Sequence, residues 1–469
     1  MLPVLTRDEM RAADAAALST VSEETLVQRA GTAVGHAALR ILGGGYDRHV
    51  IVIAGKGNNG ADGRVAAAFL ARRGVRVTVI DAGDAPAALP PCDLVIDGAY
   101  GTGFKGAYDA PKVPPGRPVL SIDIPSGVDT DTGDAPGAPF RATHTVTFAA
   151  YKPGLLQGAG PRLSGEVQVA DIGIALAPPR AELMEDSDIT RWLPSRPRQS
   201  HKWSAALGVA SGSVGMEGSA VLCTRGALAA GAGMVRLATP GNPTGNWPTE
   251  AVRVSLVDPR WAGTFLEAIE KCRAVVIGPG LGTGPATRDE IRDVVARAAL
   301  PLVIDADGIT ALGDVEAARE LLARRTEPTI LTPHDGEYAR LAGSPPGDDR
   351  LAAARDLAGR LGVIVLLKGP LTAVAAPGDA SPDVLLSSAG VPALATAGTG
   401  DVLSGVIGAF LARGVPPHIA AALAAHVHGR AASGGRREGL VAGDLPDLVA
   451  DFLSVVRRSD ARQSAQQDG

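Results

Sequence analysis

The sequence predicts an α/β protein with two domains, each built around a mostly parallel sheet. From about residue 49 onward, short β-branched runs alternate with alanine-rich stretches, as in parallel strands joined by crossover helices. The alternation lapses into proline and charged residues between about residues 175 and 199 and then resumes. A chain of 469 residues also exceeds what one core usually organises. We therefore predict a first domain over residues 1–180, a linker region over 181–199 and a second domain over 200–456.

The first domain is predicted to open with a helix and to continue with five strands. Thr6 and Glu9 have the spacing of a capping box, which marks the start of a helix. The strands are short and rich in valine and isoleucine, which is typical of strands buried in a parallel sheet. They cover residues 50–53, 75–80, 94–96, 119–122 and 145–148.

The second domain has the same kind of alternation but is not an evident repeat of the first. An apolar segment at 402–407 is predicted to begin a late helix. Residues 457–469 are polar and rich in Gln, Asp and Ser, so we expect a flexible tail there. The predicted strands of this domain cover residues 207–210, 274–277, 302–304, 329–331 and 363–367.

Composition and charge argue against several classes of function. Forty-five basic and fifty acidic side chains give a net charge of −5, and no basic run is interleaved with aromatic residues as in nucleic-acid binders. Cys92, Cys223 and Cys272 are too few and too widely spaced to indicate a disulfide framework or a zinc site. The chain has neither a signal core nor a run of roughly 18 apolar residues. We expect a cytoplasmic protein without nucleic-acid or membrane partners.

The strongest chemical signal is the segment 397–401, Ala-Gly-Thr-Gly-Asp, which precedes the helix predicted at 402–407. Its glycines let the main chain turn tightly, so that backbone N–H groups and the helix N-terminus can hold phosphate charge. Asp401 would then accept the proton of an attacking hydroxyl group. A glycine-rich loop that merely enters an apolar helix is the alternative.

Four further loops of the second domain follow predicted strands and favour the phosphoryl-transfer interpretation. Lys368 would supply positive charge for a nucleotide, and His334 is the one histidine in such a loop. A structural role for His334, as a hydrogen-bonding turn residue, is the alternative. The Gly-x-x-x-x-Gly-Lys-Ser/Thr pattern of P-loop proteins is absent from the sequence. The loops cover residues 278–282, 305–308, 332–337 and 368–372.

In the first domain, residues 54–63 satisfy the Gly-x-Gly-x-x-Gly pattern, and Asp81 follows at the distance expected of a ribose-binding acid. This is the fingerprint of dinucleotide-binding dehydrogenases. We consider it weak here because Asn58, Asn59 and Asp62 crowd the loop with side chains that a bare pyrophosphate turn does not require.

Two acidic residues end the next strands of the first domain. Asp97 follows 94–96 and Asp123 follows 119–122, and ligands collect at the carboxyl ends of parallel strands. Oxygen atoms of Asn59, Asp97 and Ser126 would suit a hard cation, leaving Asp62 and Asp123 for an organic ligand. The alternative is that each aspartate merely caps a turn.

Four ordered motifs of the first domain, residues 58–63, 101–104, 123–127 and 147–154, resemble those of NAD(P)H-hydrate epimerases. The likeness covers about residues 5–175, and Ala61 stands where glycine is usual. It implies a Rossmann-like three-layer α/β domain that interconverts the epimers of hydrated NADH or NADPH, with Asp123 catalytic and potassium held by Asn59, Asp97 and Ser126. It places the substrate against Asn58, Asn59, Gly60, Ala61, Asp62, Gly101, Thr102, Gly103, Phe104, Lys105, Gly106, Ala107 and Asp123.

The second domain, over about residues 195–455, resembles the ribokinase-like superfamily and, within it, ADP- or ATP-dependent NAD(P)H-hydrate dehydratases. The likeness rests on His201-Lys202, on residues 208–213 and 231–235, and on the loops at Thr332 and 397–401. Trp203 and Asp335 depart from the usual glycine and proline. The resemblance implies that hydrated nicotinamide meets Ala232, Gly282, His334 and Asp401, and that the nucleotide meets Lys368, Gly369, Pro370, Leu371, Thr372, Gly398, Thr399 and Gly400.

Together the two resemblances imply a bifunctional repair enzyme. The first domain would interconvert R- and S-NAD(P)HX, and the second would dehydrate the S epimer through a phosphorylated intermediate, using magnesium with ADP or ATP. Its partners would be NADHX or NADPHX and an adenine nucleotide, and we expect a homo-oligomer. One alternative is a ribokinase-like vitamin or sugar kinase with an N-terminal nucleotide-binding module. Another is a first domain that only senses nucleotide or binds protein.

Overall fold

The computed structural model describes the backbone of residues 1–241, 243–378 and 380–467, and side chains through residue 458. Its contacts divide the chain into two compact units, one of Leu2–Arg180 and the other of Met1 with the chain from Ala181 onward. Each unit contains a largely parallel sheet with helices packed on it, which confirms the predicted α/β class. None of the described helices has the length and apolar character needed to cross a membrane.

The N-terminal unit contains one six-stranded sheet in the order β3-β2-β4-β6-β8-β9, with every neighbouring pair parallel. From β2 the chain runs outward to β3 and then returns to β4 on the other side, so the strand order reverses between β2 and β4. Ligands bind at such switch points. The elements are β1 (Leu2–Val4), α1 (Arg7–Leu18), α2 (Glu23–Leu42), β2 (His49–Ala54), α3 (Asn58–Ala71), β3 (Arg76–Asp81), β4 (Leu94–Gly98), β5 (Tyr108–Asp109), β6 (Val119–Ile122), β7 (Gly137–Ala138), β8 (His144–Phe148), α4 (Pro153–Leu156), α5 (Gly160–Ser164) and β9 (Glu166–Ala170).

Alternation along β2 divides the core of this unit between the two faces of its sheet. Val50 and Val52 pack with side chains of α2 and α3, such as Phe69, whereas Ile51 and Ile53 point to the opposite face. Both faces of the strand are therefore buried, as the continuous apolar run predicts. Strand β9 was not predicted from the sequence, because at the sheet edge it alternates between exposed and half-buried residues.

The C-terminal unit contains a sheet in the order β10-β19-β18-β17-β16-β15-β14-β11-β12-β13. Strands β11 to β17 are parallel to one another, whereas β18 is antiparallel to both β17 and β19. The elements are β10 (Ala181–Leu183), α6 (Asp186–Trp192), β11 (Ala206–Ala210), α7 (Glu217–Ala229), β12 (Met234–Pro240), β13 (Ala251–Leu256), α8 (Ala262–Ile269), β14 (Ala274–Ile277), α9 (Pro285–Arg297), β15 (Leu302–Ile304), α10 (Asp307–Leu312), α11 (Val315–Leu322), β16 (Thr329–Leu331), α12 (Asp335–Ala342), α13 (Arg350–Leu361), β17 (Ile364–Leu367), β18 (Thr372–Ala375), β19 (Val384–Ser387), α14 (Thr399–Ala412), α15 (Pro417–Ser433) and α16 (Leu445–Gln467).

One expectation about the ends of this unit needs correction. Residues 181–199 are not simply a linker, because β10 pairs with β19 and Ile189 of α6 lies in the core. Local composition was misleading there because pairing with a distant strand outweighs polar sequence. The flexible tail over residues 457–469 stays a prediction; the backbone of α16 continues to Gln467, and residues 468–469 lie outside the described residues.

Candidate active sites

In the N-terminal unit, two of the three glycines in the Gly-x-Gly-x-x-Gly pattern after β2 are required by packing, whereas Gly57 has open space around it. A Cβ atom at Gly55 would lie 1.9 Å from the carbonyl oxygen of Ala99, and one at Gly60 would lie 1.9 Å from the carbonyl oxygen of Gly55. Asp81, the acid that completes the dehydrogenase pattern, forms an ion pair with Arg64. The first and third glycines of the Gly-x-Gly-x-x-Gly pattern thus reflect a tight strand-to-helix connection, which the chain needs whatever the loop binds.

Asp123 lies at the centre of this unit's site, held in an unusual backbone conformation. Its φ angle is 66°, a left-handed value that is uncommon for a non-glycine residue. The Nζ atom of Lys152 lies 2.5 Å from its Oδ1 atom, and the Thr147 hydroxyl donates a hydrogen bond to the same oxygen at 3.0 Å. Lys152 is only 1% exposed and also donates to the Phe148 carbonyl oxygen. A buried cation therefore faces the Asp123 carboxylate.

Asp62 contrasts with Asp123. It lies in α3 and is buried, and no basic side chain among the described residues forms an ion pair with it. Burial, and secondarily the negative charge of Asp123, raise its pKa to about 8. At neutral pH Asp62 is thus mainly protonated and can donate a proton. Two carboxyl groups in different environments face one site, which is the pattern expected of an acid and a base.

A cavity lies over these carboxyl groups, and one wall of it comes from a helix that the sequence did not connect with the site. Asp14 and Met10 of α1 line the cavity, and burial together with the charge of Asp123 raises the Asp14 pKa. The remaining walls are largely apolar, with Leu26, Val27 and Ile172 among them. The sequence-predicted residues that line the cavity are Asn58, Asn59, Asp62, Thr102 and Asp123.

Only part of the loop at 101–107 lies at the cavity. Thr102 lines the cavity, and the Phe104 ring packs against Tyr100 with ring centroids 4.4 Å apart. Gly101 contacts the Asn59 side chain so closely that a Cβ atom there would lie 2.4 Å from Oδ1. Exposed positions that do not line the cavity are Gly103, Lys105, Gly106 and Ala107. Gly60 is buried, and Ala61 is half-buried in the first turn of α3.

Oxygen atoms gather around Asp97 beneath this cavity. Asp97 is fully buried and accepts hydrogen bonds from the Ser121 hydroxyl and from both the backbone and the hydroxyl of Ser126. Burial raises its pKa, and no described basic side chain forms an ion pair with it. Asn59 donates its amide to the carbonyl oxygens of Tyr100 and Ile122 at 3.2 and 2.7 Å. A buried carboxylate without a basic partner is costly, so this oxygen-rich group suits a bound cation.

In the C-terminal unit, the segment 397–401 begins helix α14 as the sequence predicts. Gly398 is the N-cap residue with a φ angle of 88°, a left-handed conformation that favours glycine. Thr399 donates its hydroxyl to the Leu394 carbonyl oxygen at 2.8 Å, which holds the turn. Because the first N–H groups of a helix lack partners within it, this turn presents donors and a positive dipole end to an anion.

Asp401 lies in the first turn of α14 in a buried and crowded setting. Burial is the main cause that raises its pKa to about 6, and the charge of Asp305 acts in the same direction. A hydrogen bond from Ser219 of α7 opposes the rise. Ser219 was not identified from the sequence, because nothing in its local pattern connects α7 with a helix far along the chain. The carboxyl group of Asp401 is thus mainly ionised at neutral pH and can accept a proton.

Lys368 lies in a network of acidic residues at the carboxyl ends of the adjacent strands β15, β16 and β17. Its Nζ atom is 2.8 Å from Asp305 Oδ1 and 3.7 Å from Glu337 Oε2. Ser404 donates to the other Asp305 oxygen at 2.7 Å. Burial alone would raise the Asp305 pKa and lower the Lys368 pKa, but the ion pair outweighs burial and shifts each in the opposite direction. Lys368 therefore stays charged.

Gly282 and His334 lie on loops at the same edge of the sheet. The Gly282 N–H donates to Asp307 Oδ2 at 2.8 Å, and its φ angle of 87° favours glycine. His334 is the N-cap of α12, and its Nδ1 atom accepts hydrogen bonds from the backbone of Gly336 and Glu337. The His334 side chain is nevertheless 56% exposed. The structural alternative for His334 is thus present, and the ring remains accessible to a ligand.

A cavity of about 550 Å³ adjoins the first turn of α14. Its polar side is formed by His334, Lys368, Thr372 and Thr399, and much of the rest is apolar. Gly369, Pro370 and Gly400 also line it. Leu371 does not, because its side chain is buried with 2% exposure. The segment 368–372 therefore reaches the cavity mainly through its backbone and its polar residues.

Ala232 was assigned to the substrate from the resemblance, and the structure corrects this assignment. It precedes β12, whose first residue Met234 pairs with Ala206, the first residue of β11. It therefore lies at the amino ends of parallel strands, whereas Gly282, His334 and Asp401 lie at the carboxyl ends. Ala232 is buried in the core. The small residues around 231–235 allow a tight α7–β12 turn.

Comparisons with known proteins agree with this two-part architecture. A family model described as NAD(P)H-hydrate dehydratase matches residues 207–454, and one described as YjeF-related protein N-terminus matches residues 23–88 and 80–154. Among solved structures, an ADP/ATP-dependent NAD(P)H-hydrate dehydratase from Bacillus subtilis, co-crystallized with ATP/Mg2+, is 29% identical, has a TM-score of 0.50, and covers 58% of this chain and 97% of its own. A ribokinase-like superfamily protein from Enterococcus faecalis, 22% identical with a TM-score of 0.52, covers 60% and 98% and shows the fold alone.

Relatives that match both units share one description. The bifunctional NAD(P)H-hydrate repair enzyme Nnr of Mycobacterium tuberculosis is 38% identical over 451 residues, which cover 88% of this chain and 90% of that protein. The protein of the same description from Escherichia coli is 33% identical over 472 residues, covering 91% and 87%. Similarity of this extent over both units shows that the chain belongs to the family of bifunctional NAD(P)H-hydrate repair enzymes.

Proposed function

We propose that the N-terminal unit interconverts R- and S-NAD(P)HX and that the C-terminal unit dehydrates S-NAD(P)HX to NAD(P)H with ADP or ATP. The observation that carries this proposal is Asp401, a buried carboxyl group with a pKa of about 6 in the first turn of α14, next to a nucleotide-sized cavity. The kinase alternative would leave the paired carboxyl groups of the first unit without a role. A merely sensing first domain would not need a protonated Asp62 beside the buried ion pair of Asp123 and Lys152.

For the dehydration, Asp401 accepts the proton of the hydroxyl group on the hydrated ring, and the oxygen attacks the terminal phosphorus of the nucleotide. The bond from that phosphorus to the nucleotide breaks, which leaves the ring oxygen phosphorylated. The C–O bond then breaks, and phosphate departs with its electron pair. A proton leaves the neighbouring ring carbon, and the double bond of the ring is restored. Hydroxide is a poor leaving group and phosphate a good one, which explains why a nucleotide is consumed.

Lys368 and the first N–H groups of α14 would hold the negative charge of the phosphates during this transfer. Asp305, Asp307 and Asp401 influence one another electrostatically at this edge, so the acidic surroundings fit a magnesium–nucleotide complex. Bound magnesium would neutralise phosphate charge. Gly282 and His334 would meet the nicotinamide end of the substrate, as the resemblance implies.

For the epimerisation, we infer that protonated Asp62 donates to the departing hydroxyl group, which leaves as water. Asp123 then accepts a proton from the water molecule that adds to the opposite face of the ring. Lys152 would hold the Asp123 carboxylate in position through their buried ion pair. The residues that would hold potassium are Asn59, Asp97 and Ser126, together with nearby carbonyl oxygens. Its positive charge would offset the buried Asp97 carboxylate.

One assay tests both activities. The purified protein is given mixed epimers of hydrated NADH, and recovery of reduced-nicotinamide absorbance is followed with ADP, with ATP and with neither. Complete recovery with a nucleotide supports both activities, whereas recovery of part of the pool would overturn the epimerase proposal. No recovery with either nucleotide would overturn the dehydratase proposal. The proposed homo-oligomer is tested separately, by light scattering.

A further inference from the structure

The buried histidine His428 is a polar group that the proposed reaction does not use. It lies in α15, one of the most buried helices of the C-terminal unit, and is 6% exposed. Its Nε2 atom has no hydrogen-bond partner among the described residues. Buried polar atoms are seldom left unpaired, so an orphan of this kind calls for a partner from outside the protein.

The place of this ring indicates where the partner lies. His428 lines the 550 Å³ cavity that also contacts Lys368 and Gly400. Around it the cavity wall is largely apolar, formed by Val391, Pro392, Leu394, Ala395 and Leu403. Such a wall suits the flat base and the sugar of a nucleotide better than its phosphates, which Lys368 and the α14 N-terminus would hold.

The charge state of the ring is consistent with a neutral partner. Burial lowers the His428 pKa to about 4, a contact with the Thr399 backbone opposes this shift, and the charge of Lys368 adds to it. No carboxylate is among the groups that shift the His428 pKa. At neutral pH the imidazole is therefore uncharged, and it offers one donor and one acceptor nitrogen. A neutral ring can bond a base nitrogen or a sugar hydroxyl without attracting the phosphates.

We propose that His428 binds the nucleoside part of the nucleotide through Nε2 and so positions the nucleotide for transfer to the hydrated ring. This inference rests on the proposed nucleotide site. His428 is a binding residue here and has no role in the proton or phosphoryl transfer. Its loss should weaken nucleotide affinity and leave the chemical step intact once the site is full.

The test is calorimetric titration of ADP into the full chain carrying His428→Leu or His428→Gln. The control is His426→Gln, which alters a buried histidine of the same helix that does not line the cavity. We expect His428→Leu to raise the ADP dissociation constant about tenfold, the effect of one lost hydrogen bond. His428→Gln, which keeps an amide, should stay within about threefold of wild type. The KM for nucleotide should follow the same order, with kcat nearly unchanged.

Titration with GDP then locates the contact. A change in the ADP-to-GDP preference assigns it to the base, and an equal loss for both assigns it to the ribose; each supports the proposal. Unaltered ADP affinity in His428→Leu, with a melting temperature near that of His426→Gln, overturns it. Calorimetric titration needs no turnover. A wild-type protein that binds ADP but dehydrates NAD(P)HX with neither ADP nor ATP would therefore overturn the proposed function and leave the His428 proposal testable. A wild-type protein that binds neither ADP nor ATP would overturn both.

Discussion

The Lys152 ammonium group lies 2.5 Å from the Asp123 carboxylate, and the two residues are 29 positions apart in the chain. Neither side chain is exposed enough for solvent to replace the other. Removing one member of a buried ion pair leaves an uncompensated charge, which is far more costly than losing a surface pair. The two residues should therefore behave as one unit.

We predict that Lys152→Met lowers epimerisation by about a hundredfold or more, because the variant loses the buried cation that pairs with the Asp123 carboxylate and holds it in place as a base. The rate is measured by the conversion of R-NADHX in a coupled assay with excess dehydratase. The matched control is Lys112→Met, which alters an exposed lysine outside the predicted substrate-binding loops and should retain nearly full activity. Equal losses in the two variants would contradict the assignment of Lys152.

The pH dependence of epimerisation should report Asp62. Its pKa is raised to about 8, so the acid form that donates a proton is present below that pH and is lost as the pH rises through about 8. The rate should fall on the alkaline side with this midpoint. Asp62→Asn, which cannot donate an acidic proton, should lower the rate at neutral pH by about a hundredfold. An alkaline limb that is identical in Asp62→Asn would show that another group titrates.

The rate of dehydration should rise with pH on the acidic side of its pH profile, whereas the rate of epimerisation should fall with pH on the alkaline side. Asp401 acts as a base only when ionised, so the rate should rise with pH through about 6. Asp401→Asn should lower the rate by about a thousandfold, within the usual range for loss of a general base. Asp293→Asn, which alters an exposed aspartate on α9, serves as the control. An Asp401→Asn protein as fast as wild type would refute the proposed mechanism.

Ser219→Ala tests whether the hydrogen bond from α7 tunes Asp401. The bond favours the ionised carboxylate, so its loss should raise the Asp401 pKa and move the acidic limb of the rate profile to higher pH. The rate at alkaline pH should change little. A Ser219 that only supports packing would instead lower the rate equally at every pH, and the two outcomes are separated by a full pH profile.

Potassium removal should affect one activity alone. Replacing potassium with choline would leave the proposed site at the buried Asp97 carboxylate without a cation, so we expect slower epimerisation and a lower melting temperature. The rate of S-NADHX dehydration at saturating nucleotide should be unchanged. In Asp97→Asn the carboxylate is absent, and the stabilisation by potassium should largely disappear. Stabilisation of that variant equal to wild type would place the cation elsewhere.

Much of the architecture and many of the site positions follow from the sequence alone. Parallel strands are marked in the sequence by short β-branched runs, and their carboxyl ends lie on one edge of a sheet. The sequence therefore predicts that the loops after β2, β4 and β6 lie together. The same reasoning grouped the loops that contain Asp305, His334 and Lys368. The N-terminus of α14 is also predicted by the sequence, because glycine, threonine and aspartate before an apolar run indicate the start of a helix that can bind an anion.

Only the tertiary structure decided which distant side chains complete these groups. Lys152 reaches Asp123, Ser219 reaches Asp401, and Ala232 falls at the wrong edge, because strand order and helix packing bring together residues that have no local relation. The sheet also includes the segment at 181–183, whose composition indicates a linker. The spacing of apolar residues and the local composition are properties of residues close together in the sequence. The burial, ion pairing and pKa of a side chain depend instead on what the rest of the chain places around it.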